Sequence, residues 1–145
     1  MGEADITTRR IEARVLHAGK AQGEVLVLSE PLSFWGGFDP VTGKILDKHH
    51  PEAGVSVTGK IVVMPASRGS AGTPAGVAES IRLNTGPGAI ILYRRDVNIA
   101  VGAIVACELY GHCMPVLVVS DENYGRFISG QPAQIDADGA ISLSE

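Results

Sequence analysis

The chain has 145 residues, 45% of them hydrophobic and 19% charged, with a mean hydropathy of +0.17. A chain of that length and apolar content makes one domain and buries enough surface to offset its ordering entropy, which excludes disorder. A formal net charge of -4 excludes a nucleic-acid partner held by electrostatics, and the short apolar runs exclude a membrane span.

Met1 to Arg10 carries charges and no apolar stretch, so residues 1–10 read as a flexible N-terminal tail rather than a signal peptide. That leaves 11–145 as a single domain. Arg14 to Ala18 and Glu24 to Ser29 read as strands joined by the glycine-flanked turn Gly19 to Gly23. From Glu30 to Gly59 the apolar periodicity lapses. A loop of about thirty residues in a compact domain is either functional or hides an element.

Regular structure returns with Lys60 to Met64, a β-branched run suited to a buried strand and ended by Pro65. After the small-residue loop Ala66 to Gly72, Thr73 suits an N-cap and Pro74 the first helical position. Val77, Ala78 and Ile81 then lie at helical spacing, with a stop near Asn84 to Gly86. Ala89 to Tyr93 is a second buried strand. Asp96 can cap a helix from about Val97 to Tyr110 that ends at Gly111. Val101, Ile104, Val105 and Leu109 make its apolar face, and Glu108 lies off it. Pro115 to Val119 is a third buried strand, and Gln131 to Leu143 a hairpin turning at Asp138-Gly139. The order predicts an α/β fold with parallel core strands and antiparallel additions.

The sharpest chemical signal is the segment Arg68-Gly69-Ser70-Ala71-Gly72, between a buried strand and a helix N-terminus. Ligands of α/β sheets collect there, because glycines admit close backbone approach and unpaired N–H groups favour an anion. Arg68 adds a fork that fits a carboxylate, and Ser70 is a nucleophile or base if positive potential stabilises its alkoxide. The bland alternative is a plain turn.

A second signal is Ser33-Phe34-Trp35-Gly36-Gly37-Phe38, which holds the one Trp and two of the three Phe. Aromatics on a glycine-rich loop pack on something, either as a plug over the sheet or as a lid. His49 and His50 are adjacent, so both rings reach one metal ion only awkwardly; either a substrate contact or a structural loop contact fits them. The chain has two cysteines, Cys107 and Cys113, too few for a cluster or a cysteine-rich zinc site. With nothing pointing to secretion, both are expected reduced, Cys107 in the core, and the protein cytoplasmic.

Four blocks taken together resemble the small subunit of the aconitase X family. They are Ser33 to Gly43, His49-His50-Pro51, Met64 to Ser70, and Gly102 to Ala106. The resemblance implies a swivelling β/β/α domain and a dehydratase formed with a large subunit that carries an iron–sulfur cluster, none being bound by this chain alone. It implies that Ser70 takes the proton next to the substrate carboxylate, while the partner's cluster acts as Lewis acid on the departing hydroxyl. Arg68, Gly69, Ser33, Trp35, Gly36, Gly37, His49 and His50 would then line the substrate, with no metal ligand in this chain. Ordinary aconitases follow the serine with Ser-Arg; here Ala71 follows, and the resemblance leaves the missing positive charge to be expected from Arg68.

Two small-molecule substrates occur in the family, cis-3-hydroxy-L-proline and 5-phosphomevalonate. The second wants cations that residues 30–59 supply only through Lys44 and Lys48, so the first is expected. A phosphohistidine carrier of similar architecture would need a histidine between residues 60 and 80, where there is none. A non-catalytic interaction module is the rival from another class.

Overall fold

The computed structural model describes residues 8–68 and 71–144. In chain order its elements are β1 (Thr8–Ile11), β2 (Arg14–His17), β3 (Ala21–Val27), β4 (Ile61–Val63), α1 (Thr73–Arg82), β5 (Ala89–Leu92), α2 (Val97–Tyr110), β6 (Val116–Val118), α3 (Asp121–Tyr124), β7 (Pro132–Ile135) and β8 (Ile141–Ser144). The strands join in the order β1-β8-β7-β3-β4-β5-β6-β2. β3, β4, β5 and β6 are parallel, and the remaining pairs are antiparallel.

β3 is the hinge of this architecture. Its first half, Ala21 to Glu24, pairs antiparallel with β7, and its second half, Val25 to Val27, pairs parallel with β4. The parallel strands are therefore covered on both faces, which is why they read as unbroken apolar runs. Val62, Met64, Ile90, Leu92 and Val116 face the helices, packing with Val77, Ile81, Ile99 and Ala103. Ile61, Val63, Ile91 and Leu117 face the antiparallel strands, packing with Ile11, Ile135, Ile141 and Leu143. The result is a β/β/α stack, with one core on each side of the parallel layer.

The structure departs from the sequence reading at several points. β1 begins at Thr8 and pairs with β8, so the expected tail gives way to a strand before residue 10. Residues 1–7 lie outside the described residues. The turn before β3 is shorter than expected, and the short helix α3 was not foreseen. Gly72, not Thr73, occupies the N-cap of α1 and has no side chain to offer; Thr73 stands inside the first turn.

The face of α2 is also inverted. Ile99, Ala100, Gly102, Ala103 and Ala106 point inward, while Val101, Ile104, Val105 and Leu109 are exposed. A helix apolar all round offers no amphipathic contrast to choose its inner face. Close packing chooses it instead: a Cβ on Gly102 would lie 2.8 Å from both Val77 Cβ and the Pro74 carbonyl, so α1 and α2 approach through small residues.

The cysteines require a further correction. Cys107 is half-buried rather than core, and it is joined to Cys113 in a disulfide. The helix ends at Gly111 in the left-handed conformation, φ 70°, which turns the chain back and brings the two Cα atoms to 4.4 Å. That separation is within disulfide reach.

Candidate functional site

The loop after β4 emerges at the carboxyl end of the parallel strands, and backbone and side-chain links hold its base. Ser67 pairs in a parallel bridge with Leu32, and the Arg68 N–H donates to the Leu32 carbonyl at 3.0 Å. Arg94 N–H donates to the Pro65 carbonyl at 3.2 Å. Ser67 donates to Asp96 Oδ2 twice, from its N–H at 2.8 Å and from its hydroxyl at 2.6 Å. The other oxygen of Asp96 caps α2 by accepting from Ile99 N–H at 3.2 Å. One carboxylate thus ties the start of α2 to the loop that enters α1.

Arg68 is exposed, and its guanidinium meets Glu30 Oε1 at 3.3 Å. Gly69 and Ser70, the expected backbone contact and base, lie outside the described residues. The described chain resumes at Ala71 and enters α1, whose first turn carries no acidic residue and, among the described residues, no side-chain cap. Thr73 Oγ1 is fully buried there without a hydrogen-bond partner among the described residues.

The aromatic loop divides its labour. Phe34 and Phe38 are buried in the helix-side core with ring centroids 5.4 Å apart, which is the plug. Trp35 is 63% exposed, yet its indole lies over Gly72: a Cβ there would come within 2.8 Å of the ring's Cδ2. Gly72 is therefore small because the indole rests on it, and Trp35 stands beside the N-terminus of α1. The Ser33 hydroxyl donates to the Trp35 carbonyl at 2.8 Å, shaping the turn. Gly36 has φ +99°, a conformation that favours glycine. Gly37 is buried, and its carbonyl accepts from Leu46 N–H at 2.9 Å. Further along the loop, the Thr42 hydroxyl and the Val41 N–H hold the Asp39 carboxyl below the usual carboxylate range.

The two histidines separate. His50 is 4% exposed; its Nδ1 accepts from Glu52 N–H at 3.0 Å, and its Nε2 lies 3.1 Å from the Glu30 carbonyl. That pattern assigns the neutral tautomer with the proton on Nε2 and uses both nitrogens on the loop's own backbone. His49 is exposed, and among the described residues its bond is from the backbone N–H to Asp47 Oδ1 at 2.9 Å. The structure thus brings Trp35, Gly72 and the Arg68 loop together and makes His50 a strut beneath Glu30, the partner of Arg68.

Arg94 and Arg95 were not among the sequence candidates. Both are exposed at the carboxyl end of β5, immediately before Asp96, and the Arg94 guanidinium lies 5.3 Å from the Tyr93 ring centroid. Their signal was present: charged residues directly after a buried parallel strand occupy the edge where α/β sheets bind ligands. Among the described residues no group of three or more His, Cys, Asp or Glu is placed to hold a metal ion, and the two cysteines are bonded to each other. The residues present do not fit an iron–sulfur cluster. No described helix is long and apolar enough to cross a membrane.

Comparison with known proteins gives consistent matches. The family model described as the aconitase X swivel domain matches residues 10–143. The cis-3-hydroxy-L-proline dehydratase of Pseudomonas aeruginosa is 38% identical over 135 residues, which are 92% of this chain and 23% of that protein. The chain therefore spans about a quarter of that relative's length. The phosphomevalonate dehydratase small subunit of Thermococcus kodakarensis is 32% identical over 137 residues, covering 94% of this chain and 97% of the relative. The crystal structure of Thermococcus kodakaraensis aconitase X in its holo-form superposes with a TM-score of 0.83 at 33% identity, covering 94% of this chain and 99% of that one.

Proposed function

This chain belongs to the aconitase X swivel-domain family, and we propose that it is the small subunit of a heteromeric hydro-lyase that removes water from cis-3-hydroxy-L-proline. The observation that carries the reading is the convergence of three elements at one sheet edge: the Arg68 loop, braced by Asp96 through Ser67; the Trp35 turn lying on Gly72; and the N-terminus of α1. An anionic substrate group fits there, held by Arg68 and by the backbone N–H groups leading into the helix.

Ser70, between Arg68 and α1, would remove the proton from the carbon bearing the carboxylate. The bond electrons form the new double bond as the C3 hydroxyl departs, and the enamine tautomerises to Δ1-pyrroline-2-carboxylate. Arg68 and the surrounding N–H groups would stabilise the charge that develops on the carboxylate. Trp35 would close over the substrate from the other side, with Ser33, Gly36 and Gly37 shaping its turn, while His50 would brace Glu30, the partner of Arg68. An iron–sulfur cluster, when bound, supplies Lewis-acid chemistry, and because this chain's residues do not fit one the reading places it on the large subunit. A cytoplasmic enzyme handling a small hydroxy acid is the setting this reading expects.

A second reading, dehydration of 5-phosphomevalonate, draws support from Arg94 and Arg95, cations at the same edge that a phosphate would use. The test is to assemble the chain with its large subunit and follow water loss from both substrates by mass spectrometry. The expected outcome is turnover of cis-3-hydroxyproline that Ser70→Ala lowers by roughly 10²–10⁴-fold in kcat with little change in binding, the range of a positioned base. A Ser70→Ala enzyme within about threefold of the parent would remove Ser70 as the base, far outside that range. Turnover of phosphomevalonate alone would move the substrate and keep the site. An assembled pair that is inert with both would favour the interaction module.

A further inference from the structure

We propose that the outward face of α2 is the surface on which the large subunit docks. The inference rests on the heteromeric reading above and adds to it the place of contact. α2 carries its bulk on the wrong side for a helix that faces water. Its inner face is built of Ala100, Gly102, Ala103 and Ala106 around Ile99, whereas Val97, Val101, Ile104, Val105 and Leu109 are 38–67% exposed. In fourteen residues it has one charged side chain, Glu108. Helices that end at solvent carry polar residues on their outer arc, and a contiguous apolar patch left uncovered marks an interaction surface.

What covers it follows from position and from the size of the relatives. Val97, Val101, Ile104 and Val105 stand at helical spacing and form one stripe along a helix of about 21 Å. The stripe begins at Val97, directly after the carboxylate that braces the Ser67 loop, and runs away from the candidate site. A partner completing the site at that edge therefore lies where the stripe starts. In the Pseudomonas relative this domain is 23% of one polypeptide, so the remaining three-quarters is at hand to cover the equivalent helix. For a separate small subunit the same cover must come from a second chain with a complementary apolar surface. The disulfide at Cys107 fixes the last turn of α2 against the segment before β6, so the face is presented rigidly.

The test uses the full chain, co-expressed with an aconitase X-type large chain, and reads the dissociation constant of the pair. Val101→Lys with Ile104→Lys changes two side chains that are 39% and 45% exposed, so folding, checked by circular dichroism and melting temperature, survives. Ile128→Lys, 66% exposed on another surface, is the control. The double variant is expected to weaken the pair by about 100-fold, equivalent to ~2.7 kcal/mol, and the control to leave it unchanged. A double variant that binds like the parent overturns this inference and leaves the heteromeric reading standing. A parent that forms no pair ends that reading and this inference with it. A parent that self-associates and is dispersed by the same lysines assigns the face to a second copy of the chain and overturns the large subunit as its occupant.

Discussion

Asp96 is the residue whose loss the structure makes most informative. Its carboxylate accepts three bonds: Ser67 N–H at 2.8 Å, the Ser67 hydroxyl at 2.6 Å and Ile99 N–H at 3.2 Å. Asp96→Ala removes a helix N-cap, about 1 kcal/mol, and two bonds to a charged acceptor that share one oxygen, together about 2 kcal/mol. The sum of about 3 kcal/mol corresponds to a fall of roughly 10 °C in Tm for a chain of this size. Asp96→Asn keeps an oxygen for Ile99 but offers only N–H groups to Ser67, so it should recover about the 1 kcal/mol of the cap. Ser67→Ala alone should cost about 1 kcal/mol. Because its bond ends on Asp96, adding it to Asp96→Ala should cost almost nothing more. Calorimetry and urea unfolding of the four variants measure this directly. An Asp96→Ala protein melting within about 2 °C of the parent would refute the brace, as would costs that add in full in the double variant. In the assembled enzyme the same Asp96→Asn change should depress kcat, since the loop leading to Ser70 loses its anchor.

Two further outcomes test other parts of the account. The Cys107–Cys113 link closes a short loop, a sequence separation of 6, so its chain-entropy contribution is roughly 2 kcal/mol. The unreduced, denatured chain should show no free thiol, and Cys113→Ser should lose about that stability; two free thiols would refute the link. Burial, and behind it the neighbouring Tyr93, pushes the Tyr124 hydroxyl up to about 12. The unfolded chain ionises near the ordinary value of about 10, so this contribution to stability is complete below that pH and is lost as pH rises towards 12. Ultraviolet titration should show one of the three tyrosines ionising late, and Tyr124→Phe should abolish that step; a single transition for all three would refute it.

Much of this protein was legible in its residues, because local chemistry wrote it. Unbroken apolar runs marked β4, β5 and β6, since strands covered on both faces need no alternation. Asp96 and Gly111 bounded α2 through capping and the left-handed turn, and Asp138-Gly139 marked the final hairpin, with Gly139 at φ +90°. The blocks around Trp35, His50 and Arg68 pointed to the family, and residues 10–143 match its model. What stayed hidden depends on distance in space. α2 is apolar on every side, so its inner face was decided by how closely α1 can approach Gly102, which no periodicity records. Cys107 and Cys113 became partners only when the turn at Gly111 folded one over the other. The sequence left His50 open between a substrate contact and a loop contact, and only the fold brings both of its nitrogens to backbone groups, the Glu30 carbonyl among them across twenty residues of chain. The placement of Trp35 on Gly72, and of Arg94 and Arg95 beside the Arg68 loop, likewise came from the sheet, whose parallel strands bring the loops that follow them to one edge.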